Sequence, residues 1–267
     1  MFSELLRFLI VALLLLVLGF DSPVVAVTAL LVGAVTLNWL LIRENSNEEL
    51  FSITAGESED LKSRQIIIEQ TRLVIPGALH SVVQGPLLIA LAGYAGGQLS
   101  VAEVGALGRI SILFGILTGF VSGVVVPKFV AITDETRFRQ RYLLALSLMI
   151  ALSGFLFMLA LMFATEILLI LGDNYRNLEA ELVIASVTSL FGTITAFGYG
   201  INRLRGWTQY QVPSVIMLVF VQVLLLLSLE LIGTREVLLF GMFSMMVGMS
   251  LQIVLNWRGL YKAGGNS

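Results

Sequence analysis

The sequence predicts an all-α, polytopic membrane protein that crosses the bilayer as about eight transmembrane helices. Three observations carry this. Of the 267 residues 57% are hydrophobic and 13% charged, about half the charged share of a soluble domain, and the mean hydropathy is +0.94. The apolar residues fall in long continuous runs, not in the alternation over ten-residue segments that a membrane β-barrel requires. The basic residues also partition between alternate loops as the positive-inside rule demands. In lipid each helix satisfies its own backbone hydrogen bonds, so a chain with too little polar surface to cover itself in water is stable there.

Taken in order, the apolar spans are Leu5–Phe20, Pro23–Ile42, Leu73–Tyr94, Ala102–Val126, Tyr142–Leu171, Leu178–Ile201, Ser214–Leu231 and Val237–Asn256. About 20 residues cross a ~30 Å hydrocarbon core. The first span is short. It reads as a retained helix and not a signal peptide, because Glu4 sits in the leading region and Val17-Leu18-Gly19-Phe20 lacks a small-x-small cleavage pattern. The fifth is long enough to tilt strongly or to extend past the bilayer.

With eight crossings and the N-terminus inside, Arg176 and Arg235 fall outside and Arg109 lies within a span. All other Lys and Arg residues fall on the cytoplasmic side. Both termini are therefore expected in the cytoplasm. The chain divides into a two-helix membrane unit (1–42), a cytoplasmic connector (43–71) and a six-helix unit (72–267). The connector is acidic through Glu44, Glu48, Glu49, Glu57, Glu59 and Asp60, then amphipathic through Leu61, Ile66, Ile67 and Ile68.

Several residues stand out against this apolar background. Arg109, some seven residues into the fourth span, costs roughly 2.5–3.5 kcal/mol at mid-helix on insertion scales. It either faces a protein interior or aqueous cavity, where its planar fork suits a phosphate, or snorkels to the outer face. Gly115, Gly119 and Gly123 form a small-residue stripe that lets another helix approach closely. Pro76, Pro86 and Pro127 are candidate bending points. His80 and Gln84 lie four apart on one helix face, and His80 is either a proton relay or a packed, hydrogen-bonded residue. Ser186, Ser189, Thr193 and Gly200 align at helical spacing above Asn202, and either line a hydrophilic path or pack against a neighbour. Asn38, Gln222 and Gln252 read as interhelical hydrogen-bonding residues.

The absence of cysteine and the single histidine rule out thiolate chemistry, disulfides and multi-His metal sites. No Walker loop, His-Glu-x-x-His or serine-nucleophile pattern is present. An enzyme, a bound cofactor and a nucleic-acid partner are therefore not expected.

From Pro76 to Arg205 the chain resembles the C-terminal lobe of the oligosaccharide and polysaccharide flippases of the multidrug/oligosaccharidyl-lipid/polysaccharide exporter superfamily. The resemblance rests on Pro76 early in a helix, then Gly105-Ala-Leu-Gly-Arg109-Ile, then Val126-Pro127-Lys128 at that helix's end. A long helix closing on Ile170-Leu-Gly172-Asp-Asn-Tyr175 follows, and a further helix ends near Asn202. It implies transport of a polyprenyl-pyrophosphate-linked oligosaccharide across the cytoplasmic (inner) membrane. Arg109 would contact the pyrophosphate or an acidic sugar, and His80, Gln84, Ser189, Thr193 and Asn202 are candidates to line the cavity. Members of that family have two six-helix lobes. By that measure this chain would supply the last two helices of the first lobe and all of the second, as a truncated product, as one half of a split transporter whose second chain completes the wall, or as a self-associating remnant. Two other readings compete: a non-transporting membrane scaffold of an envelope glycan pathway, and an exporter of another small molecule.

Overall fold

The computed structural model describes residues 58–132 and 134–264, and the statements below concern those residues. The first two apolar spans and most of the connector lie outside them. The described chain is helical, with no strand. In order come α1 (Ser58–Gly108), α2 (Ser111–Phe120), a π-helical turn (Val121–Val125), α3 (Val126–Lys128), α4 (Glu135–Met162), α5 (Ala164–Leu171), α6 (Glu179–Leu204), α7 (Gln211–Ser228) and α8 (Thr234–Gly264). Short 3₁₀ turns at Asp173–Tyr175 and Trp207–Tyr210 lead into α6 and α7.

Five helical stretches are long and apolar enough to cross a membrane: Thr71–Lys128, Glu135–Met162, Glu179–Leu204, Gln211–Ser228 and Thr234–Tyr261. The first is 58 residues long. Straight, it would measure roughly 87 Å, about three hydrocarbon thicknesses. It is not straight. At Gly96 (φ −145°, ψ 18°) and Gly97 (φ 64°, ψ −148°) the backbone leaves the helix, and the positive φ at Gly97 is a conformation that glycine adopts without steric cost. The arms fold back on each other: a Cβ at Gly93 would touch Val101 at 3.4 Å, although a straight helix would separate those residues by roughly 12 Å.

Three details differ from the sequence expectation. The amphipathic stretch of the connector is not a separate helix, because α1 runs from Ser58 straight into the expected third span. Pro76 and Pro86 lie inside α1, yet its non-helical angles occur at the glycines and not at either proline. The chain therefore turns at the Gly pair and not at Pro86, since losing one N–H donor is tolerated where reversing the chain needs a positive φ. The expected fifth span is broken at Phe163 (φ −111°, ψ 27°) into α4 and α5.

Pro127 does sit at an irregularity. A proline ring collides with the carbonyl four residues back in a regular helix. Here the preceding turn is π-helical, with the Val126 amide reaching the Val121 carbonyl five residues back, and this widening accommodates Pro127.

The two ends of the bundle differ in chemistry. At one end the Thr234 hydroxyl donates to the Glu103 carboxylate and lies 2.9 Å from the Ser100 hydroxyl, tying the α1 bend to the start of α8. At the other, Asp134 caps α4 by accepting from the Thr136 and Arg137 amides. Arg205 crosses to donate to the Ile132 carbonyl at 3.1 Å, and its guanidinium lies 3.7 Å from the Phe138 ring centre. Arg139 lies over Tyr261 nearby.

The core has two parts. The first, around Leu91, Leu107, Phe114, Leu182, Val219 and Phe240, joins the α1 hairpin to α6, α7 and α8. The second is aromatic, with Tyr142 stacked on Phe197 at 5.8 Å and Phe129 edge-on to Phe138 at 5.5 Å. Helices α6 and α8 form the central pair. Gly198 allows their close approach, since a Cβ there would meet Asn256 Nδ2 at 2.9 Å and Gln252 Cβ at 3.1 Å. Beside it the Asn202 amide donates to Gln252 Oε1 at 2.7 Å.

Gly198→Ala should therefore cost about 1–3 kcal/mol through overpacking. Gly192→Ala on the same helix, where a Cβ meets nothing within 4 Å, should cost nothing comparable. Reversible denaturant unfolding in bicelles measures both, and equal stability of the two variants would contradict the proposed seam.

Candidate membrane cavity

Two cavities meet on one side of the bundle. The smaller, about 240 Å³, lies among the first arm of α1, α6, α7 and α8, lined in part by His80, Tyr199, Gln211, Ser214 and Gln252. The larger, about 610 Å³, lies between the two arms of α1, α2 and α6, with Leu238, Gly241 and Met245 of α8 at its back. Ser81, Gln84, Gly192 and Met245 border both, so the two are continuous. The lining residues Gly85, Gly105, Gly108, Ser111 and Gly115 are exposed, so the larger cavity opens on the side of the bundle.

No charged side chain lines either cavity. The larger one is glycine-rich, apolar at its back, and dotted with hydroxyls. Those hydroxyls mostly spend their protons on their own helices. Ser81 donates to the Gly77 carbonyl, Thr118 to Phe114, Thr188 to Ile184, Ser189 to Ala185 and Thr193 to Ser189, at 2.7–3.0 Å. What remains for a ligand is oxygen lone pairs. Such a wall accepts hydrogen bonds readily and repels an anion. Gln84 is the exception: it is 8% exposed, borders both cavities and has no hydrogen bond to any described residue.

The residues singled out in the sequence separate into groups. His80, Gln84, Ser189, Thr193 and Gly115 line the cavities. His80 Nε2 lies 3.2 Å from Gln222 Oε1, which joins α1 to α7. Asn202 lies outside both cavities, fully buried against Gln252 in the α6–α8 seam. Ser186 is buried away from the cavities, with its hydroxyl unpartnered among the described residues.

Arg109 is exposed at the junction of α1 and α2 and does not line the cavity, although Gly108 and Ser111 beside it do. It therefore sits at the rim. The chain is overwound there, with the Arg109 and Ile110 amides bonding three residues back at 3.1 Å. Pro76 is buried, and Pro86 and Pro127 are exposed. The stripe of Gly115, Gly119 and Gly123 meets no other helix among the described residues, since a Cβ at any of the three has nothing within 4 Å. The close helix packing expected of it is absent from the described chain, and Gly115 instead forms an open cavity wall.

Sequence reasoning missed Ser81, Ser111, Thr118, Thr188 and Gly192. The signal was present in part: Ser111, Gly115 and Thr118 follow one helical face. What was not visible is the Gly96–Gly97 reversal that brings Ser81 and Gln84 opposite them. No family model, curated protein or solved structure matches this chain.

The His80–Gln222 contact should show a stabilising coupling of about 0.6 kcal/mol, typical of hydrogen bonds between membrane helices. A double-mutant cycle with His80→Ala and Gln222→Ala in bicelle unfolding measures it, and additive effects would show that the two side chains are mere neighbours.

Proposed function

We propose that this chain is a membrane transporter that moves a polyprenyl-pyrophosphate-linked oligosaccharide from the inner to the outer leaflet of the cytoplasmic membrane, for surface polysaccharide assembly. The observation that carries the reading is the side-opening cavity walled by neutral hydrogen-bond acceptors. A sugar headgroup brings many hydroxyl donors and no charge, which matches that wall. A lateral opening lets the prenyl chain stay in lipid while the headgroup is held. Gln84 borders the cavity with no hydrogen bond to a described residue, and its amide would fix the sugar's orientation.

The pyrophosphate would not enter a cavity of lone pairs. It belongs at the rim, where Arg109 is exposed and suited to bidentate contact with phosphate oxygens. Six crossings in the described part, counting the arms of α1 separately, and two before them give eight. The Arg137–Arg139–Arg205 end then faces the cytoplasm with both termini. The unpartnered glycine face favours one second reading, a scaffold that docks other membrane proteins of a glycan pathway.

The test is the lipid-linked glycan content of host membranes lacking this gene, restored with wild type or variants. Wild type should clear a cytoplasmic-leaflet intermediate, and Gly192→Phe, which projects into both cavities, should not. Arg109→Ala should slow clearance by about tenfold, the scale of roughly 1.4 kcal/mol of lost binding, with Arg109→Lys partly restoring it. Full clearance by a correctly inserted Gly192→Phe protein would sink the transport reading and leave the scaffold.

A further inference from the structure

The two cavities lie end to end along the bundle. On α6 the larger is bordered from Ala185 to Thr193 and the smaller from Gly192 to Tyr199. On α8 the larger meets Leu238 to Met245 and the smaller Ser244 to Gln252. The smaller cavity therefore occupies the half of the bundle nearer Arg205, beyond the border that both share at Gln84, Gly192 and Met245.

Its wall differs in chemistry from that of its neighbour. The larger cavity has one side-chain amide, Gln84, whereas the smaller has three, from Gln84, Gln211 and Gln252. Gln211 opens α7, is 3% exposed, and its Oε1 has no hydrogen-bond partner among the described residues. Gly77 leaves it room, since a Cβ there would press on Gln211 Nε2 and on the Tyr199 ring, both at 3.3 Å. A buried acceptor without a donor is unfavourable, so the wall calls for a donor that the described chain does not supply. Gln252 has committed its Oε1 to Asn202 and keeps an NH₂ group to donate. Ser214 and Ser244 donate to the Tyr210 and Phe240 carbonyls at 2.7 and 2.8 Å and keep lone pairs. Val215, Leu218, Leu251 and the Tyr199 ring supply apolar wall between these groups.

We infer that the smaller cavity is a subsite for one neutral pyranose ring, the sugar of the cargo furthest from the pyrophosphate. The place of that ring in the cargo rests on the transport reading. A pyranose carries hydroxyls that donate and accept around its edge and C–H groups on its faces, which matches amides and lone pairs set among apolar side chains. The volume of about 240 Å³ is below the ~300–1,000 Å³ of sites for larger ligands, so it takes one ring and not two. No charged side chain lines it, which favours a neutral sugar over an acidic one. Arg109 stands at the rim of the larger cavity, so a glycan anchored there by its pyrophosphate would reach the smaller cavity with its far end.

The full chain in nanodiscs is titrated with the methyl glycosides of glucose, galactose, mannose and N-acetylglucosamine, and with methyl glucuronide as the charged control, followed by saturation-transfer NMR. At least one neutral glycoside should bind, and the glucuronide should not. Gln211→Leu keeps the bulk and removes the amide, and should weaken binding about tenfold, the scale of a lost hydrogen bond. Its unfolding midpoint should not fall, because it removes an unpartnered polar atom. Gly77→Ala, which crowds Gln211 and Tyr199, should weaken binding in the same sense. Absence of binding by all four neutral glycosides would overturn the subsite in favour of a water-filled cavity. Binding unaffected by both variants would overturn it in favour of the larger cavity, and equal binding of the glucuronide would overturn its preference for a neutral ring. Clearance of the lipid-linked intermediate by a protein that binds no glycoside would overturn the subsite and leave transport standing. Binding without clearance would overturn transport and, with it, the place assigned to the ring in the cargo.

Discussion

The approach of α6 to α8 at Gly198 is the contact on which the rest of the bundle depends. Every other helix is placed relative to this pair. The first arm of α1 and α7 pack along α8, α2 and α4 pack along α6, and the 3₁₀ turn at Trp207 wraps the end where they meet. The pair is held by a close backbone approach and by buried amides, because apolar area alone gives no advantage over lipid contact in a bilayer. Asn202 and Gln252 point at one another from facing helices, and Asn256 lies against Gly198. Such contacts fix both rotation and depth of one helix against the other, which an all-leucine seam would not.

A second consequence of the membrane setting is the character of the cavity. In water, Ser and Thr side chains on a cavity wall would be shared with solvent. Here most of those facing the cavity return their proton to a carbonyl one turn back in their own helix. The wall is therefore polar without being a donor surface, and it carries no charge. That combination disfavours free anions and suits groups that bring hydrogen-bond donors. A charge is tolerated only at the rim, where Arg109 can reach out of the hydrocarbon.

Much of the helical plan was legible in the sequence. Long apolar runs separated by charged turns marked where the described spans fall, because hydropathy in lipid is a strong and nearly one-dimensional signal. The bounds differ, in that α1 starts well before the expected third span, the expected fifth is split, and α8 runs past the expected eighth. His80, Gln84, Ser189 and Thr193 were also legible, since polar residues sharing a helix face in an apolar run have to meet something. Asn202 was not distinguishable from them. Its partner Gln252 is fifty positions away, and only tertiary packing shows that the pair closes a seam instead of lining a path. Arg109 illustrates the same limit. Its depth is a property of sequence, but whether it faces in or out depends on the rotation of its helix. That rotation is set by the reversal at Gly96–Gly97, a two-residue feature that hydropathy does not resolve. The helix break at Phe163 was equally hidden, because apolar residues continue through it without interruption.

The irregular backbone is not spread evenly. The reversal at Gly96–Gly97, the overwound turn at Arg109–Ile110, the π turn at Val121–Val125 and the break at Phe163 all precede α6, whereas α6, α7 and α8 run without a comparable interruption. One wall of the cavity is thus continuous and held by buried amides. The opposite wall is formed by the two arms of α1 and by α2, joined at the Gly96–Gly97 reversal and the overwound Arg109–Ile110 turn. Bending such a wall needs few new breaks, because the joints already exist, and its glycines add no side chains to obstruct the motion. On the proposed transport reading, one side of the carrier site would move against the other. The asymmetry therefore links the seam at Gly198 to the transport reading, since a fixed α6–α8 pair gives the jointed wall something to move against.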